Sequence, residues 1–156
     1  METSLKIYTD GGCSGNPGPG GWAYVIVQKT FQGDEIVARS KGAEEDTTNN
    51  KMEITAVIMA LRALKKMKNV PRQAAVYTDS QYVQKGITDW IRKWKRNSWR
   101  TSDKTPVKNK DLWLELDSLA VEFPLKWVWV KGHAGNEYNE LCDRMTQEAI
   151  ASLKIF

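Results

Sequence analysis

The 156-residue sequence is poor in the features that build secreted, membrane-embedded or zinc-stapled proteins. Its two cysteines, Cys13 and Cys142, lie far apart and outside any CxxC pair. That spacing excludes a zinc finger and a disulfide scaffold, and fits a reduced chain working in the cytoplasm. There is one histidine, His133. Apolar runs such as Ala74-Ala75-Val76-Tyr77 are far too short to cross a bilayer, so no membrane partner is expected. The opening residues, Met1-Glu2-Thr3-Ser4-Leu5-Lys6, have neither a basic start nor the apolar stretch of a secretory signal. No GxxxxGK[ST] phosphate loop, solenoid-length repeat or low-complexity linker occurs.

What is present is a globular balance, 41% apolar and 27% charged. A chain of this length buries about 68–70% of its unfolded surface and needs no staple to fold. One domain, residues 1–156, is expected. The net charge is +4, but it is unevenly placed. Between Lys85 and Lys110 stand nine basic residues against Asp89 and Asp103 alone, a local excess of seven. The rest of the chain is therefore mildly acidic, and one basic arm points to a polyanionic partner. The arm also holds Trp90, Trp94 and Trp99. Trp90 and Trp94 share a face if the segment is helical. Two readings compete. The indoles pack on the body beneath a solvated charged surface, or they form a nucleic-acid groove with the cations.

Patterning along the chain predicts a mixed α/β fold. Strands are expected over Leu5–Thr9, Trp22–Gln28 and Glu35–Ser40, with a glycine-rich turn over Gly11–Gly21 between the first two. Thr47-Thr48-Asn49-Asn50 offers N-caps for a long helix from Lys51 to Met67. That helix is apolar round much of its girth, so it should be covered on more than one side. A short strand over Ala74–Thr78, a helix from near Ser80, the tryptophan-rich helix, a helix over Asp111–Glu122, a strand over Leu125–Val130 and a last helix from Asn136 to Leu153 complete the pattern. Three antiparallel strands followed by helix-connected parallel ones give a five-stranded mixed sheet with helices on both faces. Ligands of such sheets sit beyond the carboxyl ends of the parallel strands.

One repetition drives the functional reading. Tyr8-Thr9-Asp10 and Tyr77-Thr78-Asp79 end two strands with the same tripeptide. On parallel neighbours about 4.8 Å apart, the two carboxylates end side by side. Such a pair repels unless it takes up a proton or a cation. Each aspartate alone reads more simply as a turn or helix cap, but the pair does not. Glu53 stands above Ala56 and Ala60, a small-residue face that can approach the sheet closely. It is either a buried carboxylate needing a partner or a helix-start acid favoured by the macrodipole. Asp143 is open to a surface role with Asn139, Gln147 or Arg144. His133 lies in a glycine-flanked turn, not on an apolar helix face, where an imidazole can act beside a polyanion.

Taken together, these residues resemble the bacterial type of ribonuclease H, a type 1 ribonuclease H. The matching stretches are Tyr8–Gly21 (YTDGGCSGNPGPGG), Thr47–Glu53 (TTNNKME), Thr78–Thr88 (TDSQYVQKGIT), Trp90–Trp99, Thr105–Trp113 (TPVKNKDLW) and Trp127–Asp143 (WVWVKGHAGNEYNELCD). They run in the family's order almost from end to end. The resemblance implies a ribonuclease H-like fold with a basic protrusion at roughly residues 85–110. It implies metal-binding catalytic carboxylates at Asp10, Glu53, Asp79 and Asp143, and an accessory role for His133 in proton transfer or product release. Trp90, Trp94, Lys95, Arg96, Trp99 and Arg100 match the protrusion that holds the DNA strand, and Thr48 matches a DNA-phosphate pocket. Cys13, Asn16, Asn49 and Gln81 match positions that read the RNA strand. The implied cofactor is a pair of divalent ions, Mg²⁺ with Mn²⁺ as an alternative, and the implied substrate is an RNA–DNA hybrid. The implied products carry 5′-phosphate and 3′-hydroxyl ends. A free-standing cytoplasmic monomer with no preceding hybrid-binding domain is expected.

Two departures stand out. Lys51 occupies a position where arginine is common, and Tyr138 follows the Gly135-Asn136-Glu137 turn. Lysine keeps the charge at the first but loses the planar fork. The alternatives to this reading are a related metal-dependent DNA nuclease or polynucleotidyl transferase, and a hybrid-binding module without catalysis.

Overall fold

The computed structural model describes residues 4–68, 73–101, 105–130 and 136–153. The chain runs β1 (Ser4–Cys13), β2 (Gly18–Thr30), β3 (Gly33–Thr47), α1 (Asn49–Lys66), β4 (Gln73–Thr78), α2 (Gln81–Lys85), a π-helical turn (Gly86–Trp90), α3 (Ile91–Arg96), α4 (Lys110–Ala120), β5 (Leu125–Trp129) and α5 (Glu137–Ser152). The five strands form one sheet in the order β3-β2-β1-β4-β5. β1, β2 and β3 are antiparallel neighbours, whereas β1, β4 and β5 run parallel. The expected mixed sheet is therefore present. The strand order turns back at the β1–β4 seam, where a crevice opens beyond the carboxyl ends.

The N-terminal strands are longer than the sequence pattern predicts. β1 continues through Asp10 to Cys13, and β2 already begins at Gly18. Gly11, Gly12 and Cys13 pair with Trp22, Gly21 and Gly20, so most of the expected glycine-rich turn is ladder. Only Ser14–Pro17 turns, closed by the Ser14 amide donating to the Pro19 carbonyl at 2.7 Å. Glycine's weak strand propensity hides these segments, and pairing with a formed neighbour overrides it.

Alternation divides the sheet into two apolar faces. Leu5, Ile7, Tyr24, Ile26, Ala74 and Val76 pack against α1, α4 and the tryptophan arm in the larger core. Tyr8, Ala23, Val25 and Val27 pack against Cys142 and Met145 of α5 in the smaller one. α1 is covered on more than one side because it lies between the sheet and α4. Ion pairs Arg62–Glu115 and Lys65–Glu122 (3.2 Å) run along its α4 flank.

Candidate active site

The parallel register aligns the two YTD tripeptides. Tyr8 pairs with Tyr77 across the β1–β4 ladder, so Asp10 and Asp79 stand two residues beyond matched positions. Glu53 reaches the same place from the second turn of α1, whose N-cap is Thr48. A glycine makes that approach feasible. A side chain at Gly11 would sit 2.4 Å from the Met52 carbonyl and 2.6 Å from the Glu53 amide. The helix backbone therefore rests directly on β1 beside Asp10. Asp143 arrives on α5, which rests on β2 in the same way, since a Cβ at Gly21 would lie 2.9 Å from the Thr146 carbonyl.

All four carboxylates line one open cleft of about 520 Å³, with Gly11, Gly12, Asn49, Asn50, Ser80, Gln81, Tyr82 and Gln147. Asn49 and Gln81 were legible from the sequence; Asn50, Ser80, Tyr82 and Gln147 were not. Gln147 is one turn beyond Asp143 and shares its face, a spacing that identifies it once Asp143 is placed. Ser80 is buried, caps α2 by accepting from the Val83 amide at 3.0 Å, and hydrogen-bonds the Glu53 carboxyl.

Burial raises the Glu53 carboxyl above the usual carboxylate range, the Ser80 hydrogen bond opposes the rise, and the negative charge of Asp79 adds to it. The Cys142 thiol lies beneath the cleft, donating to the Tyr8 carbonyl at 3.4 Å. Burial pushes its pKa well up, and nearby Asp10 pushes in the same direction, so it keeps its proton. The cleft thus offers oxygen donors and no thiolate. Among the described residues, no three His, Cys, Asp or Glu side chains close into a metal cage. An oxygen-only donor set fits a hard divalent cation that shares its shell with water and substrate phosphate.

The remaining predicted site residues fall in two groups. Cys13, Asn16, Thr48 and Asn49 gather where the β1–β2 turn meets the start of α1. The Cys13 thiol donates to the Gly18 and Thr47 carbonyls (3.2 and 3.3 Å), and Asn16 Oδ1 accepts from the Asn49 amide at 3.3 Å. Thr48 Oγ1 accepts from the Lys51 amide at 3.2 Å. Trp90, Trp94, Lys95, Arg96, Trp99 and Arg100 form the arm. Its indoles turn inward. Trp94 contacts Trp90, Trp99 and the fully buried Trp113 at centroid separations of 5.9, 5.9 and 5.5 Å. Trp99 holds a left-handed backbone (φ 59°), fixed by its amide donating to the Trp94 carbonyl at 2.7 Å. Lys95 pairs with Asp117 at 2.9 Å and Lys93 with Asp89 at 3.2 Å, while Arg96 and Arg100 are exposed. His133 lies outside the described residues.

A family model described as RNase H matches residues 2–151. The chain belongs to the RNase H family. Two relatives bear the name Ribonuclease H. That of Treponema denticola is 53% identical, over 94% of this chain and 96% of the relative. That of Anaplasma marginale is 56% identical, over 94% and 90%. Among solved structures, LC9-RNase H1, described as a type 1 RNase H with the type 2 active-site motif, superposes with a TM-score of 0.83 at 30% identity, covering 97% of this chain and 74% of that one. LC11-RNase H1, solved in complex with RNA/DNA hybrid, superposes with a TM-score of 0.70 at 25% identity, over 96% and 99%. In this RNase H family member the cleft at the β1–β4 seam and the basic arm are the two regions that need a chemical account. No helix among the described residues is long and apolar enough to cross a membrane.

Proposed function

We propose that the protein hydrolyses the RNA strand of RNA–DNA hybrids endonucleolytically. The observation that carries the reading is the convergence of Asp10, Glu53, Asp79 and Asp143 on one cleft in a chain of this family. A pair of divalent ions, Mg²⁺ or Mn²⁺, when bound supplies stabilisation of the charge that builds on the attacking and leaving oxygens. Asp10, Glu53, Asp79 and Asp143 are the residues that would hold them. Water attacks the scissile phosphorus in line, the P–O3′ bond breaks, and the products carry 5′-phosphate and 3′-hydroxyl ends. His133 assists by moving a proton or releasing product.

Around this centre the two strands are held differently. Cys13, Asn16, Asn49 and Gln81 face the RNA strand, whose 2′-hydroxyls distinguish it from DNA. Thr48 holds a DNA phosphate at the start of α1, where a helix terminus favours an anion. Arg96, Arg100 and Lys95 meet further DNA phosphates, with Trp90, Trp94 and Trp99 as the frame that presents them. We take residues 1–156 as one catalytic domain, monomeric and cytoplasmic.

One gel tests this reading. Labelled hybrid, duplex RNA, duplex DNA and single-stranded RNA are each incubated with Mg²⁺, Mn²⁺ or EDTA. Cleavage of the RNA in the hybrid alone, abolished by EDTA, is the expected result. Cleavage of duplex DNA, or of hybrid in EDTA, overturns it.

A further inference from the structure

Each of the three aspartates at the cleft follows a tyrosine. Tyr8 stands two residues before Asp10, Tyr77 two before Asp79, and Tyr138 five before Asp143. These tyrosines come from β1, β4 and α5, and their rings form one cluster on the α5 side of the sheet. Tyr8 lies in the middle. Its ring is 5.1 Å from that of Tyr77, nearly parallel at 17°, and 5.3 Å from that of Tyr138 at 35°. Tyr8 is 2% exposed.

Further bonds tie the start of α5 to the same residue. The Asn136 side chain caps α5 by accepting from the Tyr138 and Asn139 amides at 2.9 and 3.2 Å. It also shares a hydrogen bond with the Tyr8 phenol. One turn further on, the Cys142 thiol reaches the Tyr8 carbonyl. The first two turns of α5 are thus fastened to one residue of β1.

The need for such a fastening follows from topology. β1 and β4 are fixed to each other by ladder hydrogen bonds, whose register admits no small adjustment. α5 has no ladder to β1; it packs on the sheet through side chains and over the bare backbone of Gly21. Side-chain packing alone leaves a helix freer to slide or turn than a strand. From Tyr138 to Asp143 the helix rises only about 7.5 Å, so a shift at the ring reaches the carboxylate nearly undiminished.

We propose that Tyr138 is a positioning residue: packed against Tyr8 and, through it, braced on Tyr77, it sets the separation of Asp143 from Asp10 and Asp79. This deepens the hydrolase reading and rests on it. The ring does not line the cleft; it acts through the placement of α5.

The test compares Tyr138→Ala, Tyr138→Leu and Tyr138→Phe with the parent protein and with Asp10→Asn as an inactive control. Steady-state hybrid cleavage is measured together with the shift in Tm on adding Mg²⁺ without substrate. The Ala and Leu variants should lose kcat by about 10-fold, the scale typical of removing a group that orients a metal ligand. KM for the hybrid should stay unchanged, and the Mg²⁺-induced Tm shift should shrink. Phe, which keeps the ring packing, should restore all three values. Leu keeps apolar bulk, so it carries the test if Ala fails to fold. The proposal is overturned if Ala or Leu retains parental kcat and Mg²⁺ response, if KM rises while kcat holds, or if Phe is as impaired as Ala. If the parent itself does not cleave hybrid, the hydrolase reading fails. If the parent cleaves and Tyr138→Ala equals it, only the positioning role fails.

Discussion

The carboxylate cleft and the basic arm solve opposite electrostatic problems. In the cleft, four like charges drawn from residues as distant as 10 and 143 converge on one pocket. Their repulsion has to be opposed by a frame that does not yield, and the frame is the β1–β4 ladder with α1 and α5 resting on glycines. In the arm, the cations are near one another in sequence and point into water, where screening makes their crowding cheap. The arm therefore needs only a scaffold, and its tryptophans packed on Trp113 of α4 provide it. Precise placement governs the first region and total charge the second. Damage to the cleft should change turnover, whereas damage to the arm should change affinity and its salt dependence.

The sharpest test of that division is Asp10→Asn. It keeps shape but removes charge, and should lower kcat by at least about a thousandfold, matching the several kcal/mol that metal-ion catalysis contributes, while hybrid binding by filter assay survives. Near-parental turnover in Mg²⁺ would dissolve the contrast. Trp113→Ala strikes the arm's scaffold instead of its charge. Trp113 is fully buried, donates to the Tyr82 hydroxyl at 3.1 Å, and its ring atoms fill the space over Gly86. Its loss should cost about 3–5 kcal/mol in denaturant unfolding. At temperatures where the variant stays folded, KM should rise more than kcat falls.

Replacing the exposed pair Arg96 and Arg100 by alanine should raise KM and lower the log–log salt slope by about 2, near 0.9 for each phosphate left without its cation. An unchanged slope removes them from the substrate path. Lys95→Ala should do less, because Lys95 already pairs with Asp117.

The smallest effect concerns pH. Burial raises the folded-state value of Glu53 above its ordinary 4.5, so the folded, metal-free protein holds that proton more tightly than the unfolded chain does. Stability is then highest at pH below the unfolded value and declines as pH climbs through the raised folded value. Glu53→Gln should flatten this decline and raise the metal-free Tm at neutral pH. A Tm that falls on this substitution would mean that the ionised carboxylate is already well satisfied by Ser80 and its surroundings.

How much could be read in advance differs between the two regions. The arm's charge and tryptophan spacing are local, so they were visible, but which way the indoles face was not. The fold packs the indoles against the body and leaves Arg96 and Arg100 exposed. Asp10 and Asp79 were visible through the repeated tripeptide. The lengths of β1 and β2 were not, because Gly11, Gly12, Gly20 and Gly21 carry no strand signal of their own. Ser80, Tyr82 and Gln147 stand beside or one turn from predicted site residues, but that they line the same cleft is decided only when α2 and α5 dock.

The sequence alone determined the periods of its strands and helices, the sign and clustering of its charge, and the repeated strand endings that nominate two aspartates. These depend on residues close together in the chain, where propensity and alternation act directly. Tertiary structure decided the matched register of Tyr8 and Tyr77, the depth of Glu53, the approach of α5 over Gly21 and the packing of Tyr138 against Tyr8. Distances between elements are set by how side-chain volumes fill the space between them, and that sum is complete only once every element has docked.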